Sequence, residues 1–576
     1  MRGCRLASVT HERLKPLGGR TTAGYLSEVR EFLLVSCVAW LVVACSPDLA
    51  NGEHFELGSG EDTDSPGDSA PARGIAIREI ELNQGVRVVV GQGGDWIDAD
   101  QRTLGLIGSR DALLRVHTTV DPAWTPREVT ARLTLEHADG TIEALEQTKQ
   151  VEGDSTPDPL EGGFWFQLRT DAGQTLPDTR YRVELWDPSG ASDLPELDWA
   201  NPAQGAMPIG FEAIPLELKV VFVPIHYVAL DSTPALDDEA LALLVDSLYE
   251  QNPVNQVSYA VRDSVDYAST LDDVASLLPL LSQLKTADGA DANTYYHALV
   301  DIGAPSLGGR RGIGNIVGDS EGEGADRVAA TLYWTADPSL AAETFNHEVG
   351  HNQGLAHVQC PNAAADGIEP SYPHVDGTIG SWGAGVRRLE VFDPDRTYDY
   401  MSYCGPSWVS DWTWAKTHER IATLTAWDLA ASEPAGMGWI LMGMRELDGR
   451  TQWWLARGEI DPERVSARDR VRLSTDQGEH VDAWVQVERS SEAGFEWIKV
   501  ELPLDFDRIR AITYLRDEAA IEVPIDAVVT PLAHVPATIE LRTRRAEPIT
   551  ARTGPSLGPA PVDPRPARPG RSGRSE

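Results

Sequence analysis

Residues 347–357 read His-Glu-Val-Gly-His-Asn-Gln-Gly-Leu-Ala-His, the pattern H-E-x-x-H-x-x-G-x-x-H. Those residue types at that spacing can hold a metal ion and activate a water on it. His347 and His351 are four apart, so on a helix their imidazoles stack on one face. Glu348 adjoins the first ligand and can reach a water on the metal without binding the metal itself. Gly354 tolerates a positive φ, which lets the chain leave the helix sharply and return His357 as a third nitrogen ligand. Three neutral imidazoles leave the fourth tetrahedral position of a zinc ion open. A structural zinc site would fill that position with Cys or His. The expected cofactor is therefore one catalytic Zn2+.

The surrounding text must supply a helix for this motif and a sheet to carry it. Asp337 is a suitable N-cap and Pro338 suits the first helical position, while Ala342, Phe345 and Val349 give an apolar face opposite the histidines. Upstream, residues 216–223 form a continuous apolar run of the kind buried on both faces. Residues 237–249 place Leu241, Leu244, Val245 and Leu248 on one helical stripe. Residues 295–302 and 328–334 read as further strands, separated by a glycine-rich loop at 308–314. That loop has no G-K-[ST] ending and so is no phosphate cradle. The alternation predicts a mixed sheet covered by helices over residues 215–432, with a last helix at 418–428. Residues 74–214 alternate apolar and polar side chains and predict an antiparallel sandwich. The β texture returns over 433–545, with strands expected at 453–455, 481–487, 497–502 and 537–541. Residues 546–576 are a Pro/Arg-rich tail without periodicity.

The 576 residues carry a net charge of −40, which leaves no basic excess to neutralise phosphates and excludes nucleic acid as a partner. Residues 32–45 are apolar but too short to span a bilayer comfortably. They fit the core of a signal peptide over 1–45, ending in the lipobox-like Val42-Val43-Ala44-Cys45, where Cys45 would receive lipid. An ordinary signal peptide or an uncleaved anchor is also compatible with the run. Residues 46–73 are an acidic Gly/Ser/Pro-rich tether. The expected location is the bacterial cell envelope, lipid-anchored to the membrane through Cys45 or secreted. Cys4 and Cys37 would leave with the leader, so Cys360 and Cys404 remain, and an oxidising compartment predicts their disulfide. Closing that loop stabilises by about 4 kcal/mol on the chain-entropy model. No cysteine lies between Cys45 and Cys360, which excludes latency through a zinc-blocking thiol on a pro-segment.

The elongated zinc motif together with the segment Tyr398-Asp399-Tyr400-Met401-Ser402-Tyr403-Cys404 resembles the metzincin metallopeptidases. The resemblance implies that Met401 is the methionine beneath the metal and that residues 328–334 are an edge strand binding extended peptide. It also implies Tyr403 as the donor to the reaction's oxyanion. His-Asn-x-Gly-Leu within the motif, Gly380-Ser381-Trp382-Gly383 after it and a β-domain before it look most like the dictomallein-type secreted, mucin-directed metallopeptidases. The expected fold class is multidomain: an α+β metzincin-like core, a mixed sheet plus active-site helix, flanked by N- and C-terminal β-sandwich-like domains. The expected function is an extracytoplasmic zinc endopeptidase acting on proteins or glycoproteins, with Glu348 as base and then acid. The alternative is a surface adhesin or glycan-binding lipoprotein with an inactive or self-processing zinc domain. Asp319, Glu321, Glu323 and Asp326 could hold Ca2+ or form a solvated acidic loop, since their spacing misses the EF-hand pattern. Trp382, Trp408, Trp412 and Trp414 could wall a specificity pocket or pack as core. His117, His137, His374 and His418 read as satisfied residues outside the chemistry.

Overall fold

The computed structural model describes residues 70–190, 193–361, 363, 365–429, 437–490, 494–517 and 519–544. The expected leader with its Cys45, the tether up to residue 69 and the tail lie outside the described residues.

Strict alternation builds the N-terminal layers. Val129, Ala131, Leu133 and Leu135 on Arg127–Glu136 and Tyr181, Val183 and Leu185 on Arg180–Asp187 are fully buried. These two strands pair antiparallel, with Leu133 opposite Val183. Their apolar face packs on Ile75, Ile77, Ile80 and Leu82 of Ile75–Asn83 and on Leu114 and Val116 of Ala112–Val120, in a second sheet.

The central sheet follows a different rule. Its strand order is Gly312–Gly314, Val328–Leu332, Thr294–Val300, Glu217–Tyr227, Gln256–Val261, Arg542–Arg544. The four inner strands are parallel and the two outermost are antiparallel. Among the described residues four helices cover it: α1 (Asp238–Gln251), α2 (Leu278–Ala287), α3 (Pro338–Asn352) and α4 (Asp411–Leu429). Leu218, Val220 and Phe222 share a core with α1, α3 and α4. Val221, Val223 and Ile225, on the opposite face, share one with α2. Both faces are covered, so the central strand shows no polar alternation.

Helix α2 is itself enclosed. Met442, Met444, Trp454 and Trp497 of the C-terminal sheet join its core, and Trp454 Nε1 donates to Ser282 Oγ at 3.0 Å. The other face of that sheet, with Leu441, Trp453, Ile498 and Val500, packs on a four-stranded sheet carrying Val471, Leu473, Ile512 and Tyr514. Periodicity did not reveal α2, because a helix wedged between two layers keeps little polar stripe.

The fold class needs correction. Strand accounts for 39% of the described residues and helix for 19%, and these strands fall into eight sheets. The chain is a mainly-β, multi-sheet protein, not an α+β metzincin-like core between flanking sandwiches. Helices are the minor component of the described residues, so the β/α alternation of residues 215–335 does not set the class. The expected strand at 537–541 is also displaced: the chain there is irregular, and Arg542–Arg544 pairs with Gln256–Val261 on the central sheet.

Buried polar contacts tie the layers together. Arg110 of the N-terminal layers is fully buried and donates to Val254 O at 2.5 Å and Gln84 O at 2.6 Å. Its guanidinium lies 4.4 Å from the Tyr249 ring and 5.2 Å from that of Trp414. On the other side, the buried Lys499 ammonium pairs with Asp326, and with Glu323 and Glu488 at 3.5 Å each. Burial opposes its charge, but the carboxylates of Asp326, Glu488 and Glu323 outweigh that and hold the ammonium above its usual range. Lys499→Ala should therefore destabilise the fold by about 3–5 kcal/mol, by leaving buried carboxylates uncompensated. Arg472→Ala, at the exposed pair with Asp482, should have a far smaller effect. Denaturant unfolding of both variants checks this, and equal effects would refute it.

Candidate functional site

Helix α3 starts where Asp337 accepts a hydrogen bond from Leu340 N at 3.3 Å and Pro338 takes the first position. Ala341, Ala342, Phe345 and Val349 are buried in the core it shares with the sheet. That anchoring turns Glu343, Thr344, His347 and Glu348 toward a cleft of about 820 Å³. The chain turns out of the helix at Gly354, whose φ is +87°, and Gly354 N donates to His351 O at 2.8 Å. A Cβ there would lie 2.7 Å from Arg420 Nη2 and 3.1 Å from Val317 O, so only glycine fits. The turn brings His357 back beside His351.

The three histidines are brought together with one common orientation. His347 Nδ1 lies 2.7 Å from Tyr400 O, His351 Nδ1 2.8 Å from Leu355 O, and His357 Nδ1 2.6 Å from Asp366 O. Carbonyl oxygens only accept, so each Nδ1 carries the proton, and each neutral ring presents an Nε2 lone pair to the others. The ligand atoms lie within 4.8 Å of one another, and those of His351 and His357 are 3.1 Å apart. All three residues are buried. Two nitrogens at that separation can hold one cation between them.

The segment after the motif forms the floor. Met401 is buried, and a Cβ on Gly350 would run into its Sδ, so glycine inside the motif is what lets the methionine approach the helix. Sequence reasoning treated Gly350 as a spacer, and the close approach explains it. Asp399, also overlooked, is fully buried and accepts from Met401 N at 2.8 Å, Ser410 N at 3.2 Å and Thr413 Oγ1 at 2.6 Å. Burial pushes its carboxyl up, against these hydrogen bonds. Cys360 and Cys404 form a disulfide that spans 44 residues and joins the motif's exit to the methionine segment. Beside Cys404, the half-exposed Tyr403 donates its hydroxyl to His357 Nε2 at 2.9 Å and stacks on His347.

Several expectations change here. Residues 328–334 are not an edge: Val328–Leu332 lies between Thr294–Val300 and the short Gly312–Gly314, which takes the outer position. A Cβ on Gly312 would lie 2.6 Å from Glu348 Oε1, and one on Gly314 2.5 Å from Glu348 O. The edge strand passes so close to α3 that it carries glycine at both positions, which in sequence reads as a loop. Trp408 and Trp414 are core residues, and neither they nor Trp382 or Trp412 line the cleft. Glu323 and Asp326 are engaged by Arg464 and Lys499, while Asp319 and Glu321 are exposed. Among the described residues, the other grouping with metal-ligand geometry is Glu79, Glu81 and His117. There Arg87 and Arg115 already neutralise the Glu81 carboxylate, at 2.8 and 3.0 Å. His374 pairs with Asp411 at 2.6 Å, His418 lies 3.5 Å from Glu212, and His137 lies 3.5 Å from Glu143.

No protein-family profile and no curated protein matches the chain. Among solved structures, a calcium-binding mutant of Bacteroides uniformis beta-glucuronidase 2 is 11% identical over 41% of this chain, with a TM-score of 0.12. The match spans 24% of the length of that protein. A putative beta-galactosidase from Bacteroides fragilis is 9% identical over 79% of this chain and 73% of its own, at a TM-score of 0.13. A Paenibacillus cycloisomaltooligosaccharide glucanotransferase, complexed with cycloisomaltoheptaose, is 11% identical over 76% and 71%, at a TM-score of 0.15. Scores this low carry no argument about fold or activity.

Proposed function

We propose that the chain is an extracytoplasmic zinc-dependent endopeptidase acting on proteins or glycoproteins. The observation that carries the reading is the set of three Nδ1-to-carbonyl contacts that aim three imidazole nitrogens at one point beside Glu348. Three nitrogen donors suit zinc, and His347, His351 and His357 would hold it. Bound zinc supplies Lewis acidity toward a substrate carbonyl and lowers the pKa of water toward 7. The Cys360–Cys404 disulfide supports a location outside the reducing cytoplasm. The metzincin resemblance enters through the site residues alone.

Within this reading, Glu348 accepts the proton of the attacking water on its carboxylate and delivers it to the departing amine. A carboxylate on the helix face that also carries His347 is held to one side of the scissile bond. The Tyr403 hydroxyl donates to the oxygen that becomes negative, turning toward it from His357.

Glu348→Ala should lower casein and mucin cleavage by about 10²–10⁴-fold while retaining zinc. Equal turnover in variant and wild type would reject the peptidase reading. Metal analysis of the wild type should return one zinc per chain, and His357→Ala should lose it; retention would place the third ligand elsewhere. Tyr403→Phe should lower kcat by about 10²–10³-fold with little change in KM. An unchanged kcat would reduce Tyr403 to a packing residue.

A further inference from the structure

We infer that Asp399 is a positioning residue of this site, an inference that rests on the hydrolytic reading above. Its carboxylate joins two elements. On one side Oδ1 accepts from Met401 N at 2.8 Å; on the other, Oδ2 accepts from Ser410 N at 3.2 Å and Thr413 Oγ1 at 2.6 Å. Ser410 precedes α4, its Oγ accepts from Thr413 N at 3.0 Å, and its carbonyl accepts from Trp414 N. The carboxylate therefore sits at the positive end of a 19-residue helix, where an anion is stabilised without a cationic partner.

What this anchoring fixes is the metal-binding geometry. Tyr400, between Asp399 and Met401, supplies the carbonyl that holds His347 Nδ1 at 2.7 Å. Met401 O accepts from Val358 N at 3.0 Å, one residue beyond His357, and the Met401 side chain abuts Gly350 between His347 and His351. Pinning the backbone at Met401 thus reaches the surroundings of all three histidines. A carboxylate that merely capped α4 would have no such connection. Replacing it by an amide puts a donor where either Met401 N or the Ser410 and Thr413 donors now point.

The test uses the full chain loaded with Zn2+ and, separately, with Co2+. Asp399→Asn should weaken Zn2+ affinity in chelator competition by about tenfold and shift the visible Co2+ spectrum. It should also lower kcat more than it raises KM. Thr413→Val, which deletes one donor to the same carboxylate, should move affinity and spectrum in the same direction by less. Wild-type affinity and Co2+ spectrum in Asp399→Asn, with only thermal stability reduced, would overturn the inference. Should that variant not fold, unchanged affinity and spectrum in Thr413→Val would overturn it equally. A wild type that binds zinc yet cleaves no protein would sink the peptidase reading, and the affinity and Co2+ measurements would still judge Asp399.

Discussion

Three imidazoles whose Nδ1 atoms all face backbone carbonyls present their Nε2 lone pairs inward, and the structure is arranged around that constraint. Neither ring flips nor tautomers relieve it, because a carbonyl cannot donate. The three carbonyls come from three separate places: the helix exit at Leu355, the loop at Asp366 and the methionine segment at Tyr400. Holding them in register requires three devices. Gly354 closes the exit, the Cys360–Cys404 bond ties the loop to the methionine segment, and Asp399 fastens that segment to α4. Each device acts on backbone, which is more rigid than a side chain and so more exact as an acceptor.

The devices in turn depend on layers that lie far from the cleft. Trp414 of α4 lies beside the buried Arg110, which reaches across from the N-terminal sheets to the Val254 carbonyl and also donates to Gln84 O within its own layer. On the opposite side, Lys499 of the C-terminal sheet neutralises Asp326 and Glu323 just before the strand Val328–Leu332. A buried arginine and a buried lysine, each with partners in the neighbouring layer, make separation of the layers unfavourable, because either charge would lose those partners. The β layers on both sides are thus part of what keeps α3 and its sheet in place, whatever else they bind.

How much of this could be read in advance depended on whether a feature was local. The motif, its caps and the alternating strands at 129–135 and 181–185 are local patterns with fixed periods, and they could be located. The pairing of Cys360 with Cys404 followed from counting thiols in a chain expected to be exported. Features set by contacts distant in sequence were not legible. Helix α2 loses most of its polar face because two layers enclose it, and the central sheet takes its last strand from residues 542–544. The overall class was misjudged for the same reason, since the balance of strand over helix and the division of the strands into many sheets are set by long-range pairing. Asp399 looked like one acid among many, because its meaning lies in Ser410 and Thr413, more than ten residues away.

The glycines around α3 show how the site achieves close approach. Side chains at 312, 314 and 350 would strike Glu348, His351 and Met401, and one at 354 would strike Arg420. Each glycine gives up conformational entropy on folding, about 0.5–1 kcal/mol relative to alanine within regular structure. In return, backbone lies directly against the residues that matter. Gly312 places peptide rather than a flexible side chain beside the Glu348 carboxylate, so that wall of the cleft has no rotamer with which to block it. Gly350 brings an apolar sulfur under the helix between two histidines, where a polar side chain would compete for the inward-facing nitrogens. The same four positions that look like spacers or loop in the sequence therefore define the clearance of the site. Their tolerance to alanine should be governed by that clearance, because at three of them φ imposes no demand of its own.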